Sequence, residues 1–209
     1  MAEKLKIYKN KKAIVLAIPR GGLVVAAEIA RALGAKLDIV VTHKLGAPWN
    51  PELAIGATAE DGTCVFNEDV LKYGEVSENF IENEKREQIM EIKRRVYEYR
   101  GKRKFPNLNG KIVIIVDDGI ATGATVRAAI ACVKNKKPEK IIIATPVCAA
   151  DTLEILNKEA DEVVVLEKPI YLGAIGEFYK EFPQVEDWEV KEILRVFKKK
   201  YKLQKLQPI

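Results

Sequence analysis

Lys111-Ile112-Val113-Ile114-Ile115-Val116-Asp117-Asp118-Gly119-Ile120-Ala121-Thr122-Gly123-Ala124-Thr125 is the stretch that decides the fold. Its apolar, β-branched run has no polar alternation, which marks a strand buried on both faces in a parallel sheet covered by helices. The strand ends on two carboxylates. A loop of hydroxyl, glycine and hydroxyl follows, and then an alanine-rich helix over residues 126–133. A strand–loop–helix of this kind leaves backbone N–H groups at the helix start pointing into the loop, where a phosphate can sit. Asp117 and Asp118 cannot hold an anion themselves. They suit a diol or a metal ion beside one, so a sugar phosphate satisfies both halves of the motif.

Working outward, residues 13–18 form a short apolar strand that Pro19-Arg20-Gly21-Gly22 interrupts. Residues 23–33 carry strong helix formers and an apolar stripe, and Gly34 stands where a helix C-cap belongs. Residues 37–42 make the next buried strand, which completes a βαβ unit with a right-handed crossover. Ligands of open parallel sheets bind beyond the carboxyl ends of the strands. Three loops lie there: residues 19–22, 43–53 and 117–125. Gly21 and Gly22 offer N–H groups at a helix start beside the cation Arg20, which makes a second anion site, and Lys44 adds positive charge between the two. A pair of acids between two anion sites describes a sugar with phosphate at both ends.

The rest of the chain reads in order. Residues 45–53, with Pro48 and Pro51, look irregular, and residues 54–59 and 63–66 flank Glu60-Asp61-Gly62 as a hairpin. Ser77 is the expected N-cap of a long helix ending near Arg100, with Ile89, Ile92, Val96 and Tyr99 as its apolar stripe. Glu82/Arg86 and Glu91/Arg95 are the expected ion pairs on its wet faces. Strands over 140–145 and 162–166 bracket a helix over 150–159. From Tyr171 the chain turns aromatic-rich and ends in a basic helix over 189–200. The fold class is therefore α/β: a doubly wound, mostly parallel sheet over residues 13–166, with a helical and hairpin insert and a small C-terminal hood.

Composition excludes several functions. No apolar run reaches the roughly 18 residues that cross a bilayer, and Pro19-Arg20-Gly21-Gly22 breaks the only leader-like start, so a cytoplasmic protein is expected. One histidine (His43) and one serine (Ser77) leave no Ser-His-Asp triad and no multi-histidine metal centre. Cys64, Cys132 and Cys148 are odd in number and widely spaced, which indicates packing thiols. The net charge of +5 fits a small anionic substrate. A nucleic-acid partner is disfavoured, since no added DNA-binding unit is visible. A receiver-type acid pocket also pairs acids after an apolar strand, but Lys168 follows Asp118 by only about 50 residues, too few for its alternation of strands and helices.

Residues 113–125 resemble the phosphoribosyl-pyrophosphate (PRPP) motif of the type I phosphoribosyltransferases: apolar residues, two acids, then Gly-x-Thr. Pro19-Arg20-Gly21-Gly22, roughly 95 residues upstream, resembles that family's pyrophosphate loop. Residues 44–48 and 50–57 are similar to the subgroup known as predicted phosphoribosyltransferases, with its long insert before the PRPP strand. The resemblance implies that Asp117 and Asp118 bind the ribose 2′- and 3′-hydroxyls and hold Mg²⁺ through water and PRPP. It implies that backbone amides of Ala121, Thr122, Gly123, Ala124 and Thr125, with both threonine hydroxyls, hold the 5′-phosphate. Arg20, Gly21 and Gly22 would grip pyrophosphate, with Lys44 neutralising it, and Arg20, Lys44, Asp117 and Asp118 would carry catalysis. A cis peptide at Pro19–Arg20 is expected too. Ala121 stands where the hypoxanthine–guanine enzymes carry an acid, so that acid is absent from the loop. Lys168 and Tyr171 resemble a hood that reads a base. The resemblance further implies a PRPP-binding core over 1–168 with an insert over 45–110, a hood and basic tail helix over 169–209, and a homodimer. The partners are PRPP, pyrophosphate and an unidentified nitrogenous acceptor. The alternative is a non-catalytic PRPP-sensing regulator.

Overall fold

The computed structural model describes the backbone of residues 1–206 and the side chains of residues 1–199. The chain runs β1 (Ala13–Ala17), α1 (Gly22–Leu33), β2 (Lys36–Ile39), β3 (Thr42–Ala47), β4 (Asn50–Ala59), β5 (Cys64–Phe66), α2 (Glu68–Tyr73), α3 (Glu78–Arg100), β6 (Ile112–Val116), α4 (Ala124–Lys134), β7 (Lys140–Val147), α5 (Ala150–Glu159), β8 (Glu162–Glu167) and α6 (Asp187–Leu206). Short 3-10 turns precede β1 and α6, at Ala2–Tyr8 and Ile175–Phe178. Among the described residues no helix is long and apolar enough to cross a membrane.

Five strands pair in parallel in the order β2-β1-β6-β7-β8. Successive strand residues point to opposite faces, and β6 shows the division. Ile112, Ile114 and Val116 join a core with α1, α3 and α6, while Val113 and Ile115 join a second core with α4 and α5. An uninterrupted apolar sequence is what a strand buried on both faces requires. From β1 the chain leaves through α1 towards β2, and from β6 it leaves through α4 towards β7 on the opposite face. The connections therefore diverge between β1 and β6, and the crevice that opens there at the strands' carboxyl ends is where such sheets bind ligands.

The insert departs from the sequence reading at several places. Residues 45–53, expected to be irregular, belong to β3 and β4 except for a turn at Pro48 and Trp49, and with β5 these strands form a separate antiparallel sheet in the order β3-β4-β5. Gly46, Pro48 and Pro51 hide the strand pattern, and the register slips on both sides of Gly46. Gly46 admits Pro51 of the partner strand: a Cβ there would stand 2.8 Å from the Pro51 carbonyl oxygen. The strand expected over 37–42 likewise ends at Ile39, and Thr42 already belongs to β3. Ser77 caps α3 as expected, its Oγ accepting from Phe80 N–H at 3.3 Å. Glu91 pairs with Arg95 at 2.7 Å, but Glu82 pairs with Lys85 rather than Arg86. Short α2 has no counterpart in the sequence reading. Asn67 caps it, accepting from Val70 N–H at 3.3 Å. Lys198 and Lys199 are exposed, and the side chain of Lys200 lies outside the described residues, as do residues 207–209.

A buried ion cluster ties the insert to the sheet. Arg100, the last residue of α3, is nearly inaccessible and donates to Asp38 on β2 at 3.3 Å, to the Ile39 carbonyl at 2.6 Å and to Glu60 after β4. Glu60 also accepts from Val41 N–H at 3.1 Å. Desolvation of such a charge is offset only if every donor is used, and the cation also lies 5.0 Å from the centre of the Phe105 ring. Replacing Arg100 with Ala leaves Glu60 without its cation and Asp38 with only Arg103 at 3.6 Å. The expected outcome is a loss of about 3–5 kcal/mol in urea unfolding, against under about 1 kcal/mol for the exposed-pair variant Arg195→Ala.

Candidate active site

Two loops meet in the crevice between β1 and β6. The first, residues 18–22, leaves β1 with Ile18 N–H donating to Val116 O at 2.9 Å, and its Pro19–Arg20 peptide is cis, as the sequence reading expects. The second carries Asp117 and Asp118 at the end of β6. The loops pack so closely that side chains are excluded between them. A Cβ on Gly21 would lie 1.7 Å from Asp118 Oδ2, and one on Gly22 would lie 2.8 Å from the Val116 carbonyl oxygen and 2.9 Å from Asp117 Cα. The Gly-Gly pair is thus a packing requirement as well as a source of open N–H groups.

The acids share a small polar space. Asp117 Oδ1 accepts from Asp118 N–H at 3.0 Å. Burial pushes the Asp117 carboxyl well above its usual range, and the charge of Asp118 raises it further. Asp118 is also raised, by burial, against hydrogen bonds that favour its charged form. Tyr179 from the C-terminal tail donates to the Asp118 carbonyl oxygen at 2.6 Å, and burial with the nearby acids pushes its own hydroxyl up to about 12. It therefore stays a donor at neutral pH.

Residues 121–125 form the second anion-type element. Gly123 sits at φ 72° as the N-cap of α4, a left-handed conformation that glycine adopts without steric cost. The first N–H groups of a helix have no partner within it, and here they face the loop. Thr152 on α5 donates to the Ala121 carbonyl, and its Cγ2 would lie 2.7 Å from a Cβ on Gly123. Ala121 and Thr122 are exposed, and Thr125 is half-buried.

A cavity of about 310 Å³ opens on these loops. Arg20, Gly21 and Asp118 line one side, and Tyr179, Phe182 and Gln184 of the tail line the other. The Tyr179 and Phe182 rings sit 4.9 Å apart, tilted by 45°. Ile175 presses on Gly119 from the same tail, where a Cβ would come within 2.4 Å of it. The tail thus covers the site, as a hood would, but through other residues than those expected. Lys168 is exposed, Tyr171 is 86 % exposed, and neither lines the cavity.

Lys44, expected at the site, does not line the cavity. Lys44 on β3 is half-exposed and pairs with Glu52 at 3.5 Å. His43 turns towards α3, where burial and then the Arg95 charge hold its imidazole below the usual range. Among the described residues no group of three or more His, Cys, Asp or Glu gathers as a self-sufficient metal site. Thr152, Tyr179, Phe182 and the tail acid Asp187 escape sequence reading, because each reaches the site only through tertiary packing. The aromatic density of the tail is the one local signal.

A parallel α/β sheet with two loops meeting at its switch point is the architecture of an open-sheet ligand-binding protein, and comparison with known proteins gives the chain a family. The model of the phosphoribosyl transferase domain matches residues 1–181, and the chain belongs to that family. A protein present in two strains of Mycobacterium tuberculosis, which carries the provisional name of a phosphoribosyl transferase, is 40% identical over 190 residues. That match covers 91% of this chain, and the chain spans only 43% of the length of that relative. The crystal structure of TT1426 from Thermus thermophilus superposes with a TM-score of 0.79 at 39% identity, over 94% of this chain and 93% of that one.

The raised carboxyls carry a consequence for stability. An acid whose folded-state pKa is raised contributes fully below its unfolded value, and that contribution is lost as pH rises through the folded value. Asp117→Asn keeps the acceptor for Asp118 N–H and removes a buried charge. It should stabilise the ligand-free protein at pH 7 by on the order of 1–3 kcal/mol in urea unfolding. The gain should vanish below about pH 4, the unfolded carboxyl range; a gain that persists there refutes the assignment. Gly22→Ala should cost about 1–3 kcal/mol in the same assay by forcing the two loops apart.

Proposed function

We propose that the protein is a phosphoribosyltransferase that takes PRPP as donor and transfers its 5-phosphoribosyl group to a nitrogenous acceptor, releasing pyrophosphate. The observation that carries this reading is the close fit of Gly21 and Gly22 against Asp117 and Asp118, with a cavity opening on Arg20, Gly21 and Asp118. Each part suits one part of the donor. The N–H groups and hydroxyls of residues 121–125 suit the 5′-phosphate, Asp117 and Asp118 suit the two ribose hydroxyls as hydrogen-bond acceptors, and Arg20 with the Gly21 and Gly22 amides suits the pyrophosphate.

The bond between ribose C1 and pyrophosphate breaks as positive charge develops on the ring, so the protein's task is to hold both ends and stabilise the departing anion. Arg20 supplies a permanent positive charge at the leaving group. Asp117 and Asp118 hold the ring carbons by their hydroxyls and place negative charge near the cation-like sugar. Lys44 contributes only as a more distant charge, since Glu52 engages its amine.

Two adjacent half-buried carboxylates, with no third protein ligand gathered beside them among the described residues, fit a Mg²⁺ ion held largely by water and ligand phosphates. Asp117 and Asp118 would hold it, and the ion would supply charge neutralisation at the pyrophosphate. The acceptor belongs in the 310 Å³ cavity, between the sugar and Tyr179 and Phe182, whose ring faces suit a planar base. Ala121 supplies no acid there, so proton transfer from the acceptor falls to tail groups such as Glu181, which also lines the cavity.

The protein should bind PRPP with Mg²⁺ in calorimetry and release pyrophosphate with at least one member of a panel of purine, pyrimidine and related bases. PRPP binding without release for any acceptor would replace the enzyme with a PRPP-sensing regulator. Asp118→Ala should weaken PRPP binding by about two orders of magnitude, the loss of paired charge-assisted hydrogen bonds; retained affinity refutes the assignment.

A further inference from the structure

Three distant segments converge on the Arg20 side chain. Its Nη1 lies 3.5 Å from Asp187 Oδ1 and 3.9 Å from Glu186 Oε2, both at the start of α6. The same Asp187 Oδ1 accepts a short hydrogen bond from the hydroxyl of Tyr99, in the last turn of α3. Tyr99 is only 5 % exposed and packs in the core that also holds Ile92, Val190 and Leu194. Next to it, Glu98 accepts from Lys191 at 3.1 Å, so α3 and α6 are pinned together at this point. On the other side of Tyr99 stands Arg100, fixed by Asp38 and Glu60.

An acid beside an anion-binding arginine needs an explanation. A carboxylate repels pyrophosphate, and the Arg20 side chain, 29 % exposed, still reaches water. The arrangement makes sense if the carboxylate orients the guanidinium. Arginine has five N–H donors in a rigid plane. Asp187 faces only Nη1, which leaves the other nitrogens free for phosphate oxygens. Its own freedom is removed by Tyr99, whose hydrogen bond is the foremost cause that holds the Asp187 carboxyl below its usual range, with the Arg20 charge contributing. Asp187 is therefore charged at neutral pH, and its aim is set by a residue that packs in the core. Holding a flexible arginine in its binding pose before the ligand arrives removes an entropic cost from binding.

We infer that Asp187, locked by Tyr99, is a positioning residue that presents the Arg20 guanidinium to the pyrophosphate half of the donor. The long insert helix α3 thereby acts on the site through a single hydroxyl. This rests on the donor reading above, and it gives the insert a role in the site that α3 does not otherwise touch.

The test uses the full chain as wild type, Tyr99→Phe, Asp187→Ala and Asp187→Asn, titrated by calorimetry with three probes: PRPP with Mg²⁺, inorganic pyrophosphate with Mg²⁺, and ribose 5-phosphate. Ribose 5-phosphate occupies the half-site of Asp117, Asp118 and residues 121–125 and lacks the group that Arg20 meets. Tyr99→Phe and Asp187→Ala should each weaken PRPP and pyrophosphate about tenfold, the size of one charge-assisted hydrogen bond. Asp187→Asn, which keeps the shape and the acceptor for Tyr99, should recover part of that loss. Ribose 5-phosphate should bind all four proteins within about twofold of one another. Unchanged or tighter PRPP binding in the variants overturns the inference. An equal loss for ribose 5-phosphate also overturns it, because the pair is then merely structural. A wild-type protein that binds neither PRPP nor pyrophosphate overturns the donor reading, and this inference with it.

Discussion

The structure depends on one close approach: the backbone of Gly21 and Gly22 against the end of β6. No side chain fits in that gap, and the atoms that would collide are the Asp117 and Asp118 groups themselves. Everything around it serves to hold the two loops in contact. The parallel register of β1 and β6 brings Ala17 beside Val116, and the Ile18 N–H bond extends that pairing by one step. Helices α1 and α4 leave the two loops on opposite faces of the sheet, so neither blocks the crevice between them. The site is a property of strand order before it is a property of particular side chains.

This arrangement concentrates electrostatic cost where the ligand binds. Two half-buried carboxyls stand side by side, each pushed towards its neutral form, and the nearest acid to the Arg20 guanidinium is a third carboxylate, Asp187. In a stability sense the acid pair is under-compensated. The stabilising interactions sit elsewhere: in the two apolar cores, in the Arg100 cluster, and in the Tyr8–Lys140–Glu162 group at the opposite ends of the strands. Functional strain at one end of the sheet is matched by satisfied polar groups at the other.

Much of this was legible in the sequence, for a definable reason. The strands of the main sheet announce themselves because burial on both faces demands unbroken apolar runs, and the two site loops follow directly from those strand ends. The insert was harder. Gly46, Pro48 and Pro51 interrupt the alternation that would mark β3 and β4, yet Gly46 is there because Pro51 crosses close to it. Local pattern and tertiary need pulled in opposite directions. The tail was harder still. Tyr171 stands nearest the expected Lys168, but the chain passes outward there and returns only at Ile175, so Tyr179 and Phe182 cover the site. Nothing local distinguishes an aromatic that folds inward from one that stays in solvent. Asp187 reads as an ordinary acid in the first turn of a helix, and only its neighbours Arg20 and Tyr99 make it more.

The pairing of β1 with β6 joins segments about a hundred residues apart in the chain. Closing so long a loop carries an entropic penalty that no nearby contact repays, and contacts of this range are formed slowly in folding. The hairpin of β4 and β5 lies wholly within that loop and depends on local contacts, so it can organise before the loop closes. The crevice, by contrast, has no existence until the two strands meet. Ligand-binding capacity therefore appears at once with the completed central sheet, and it serves as a direct measure of the fraction of chains that have finished folding.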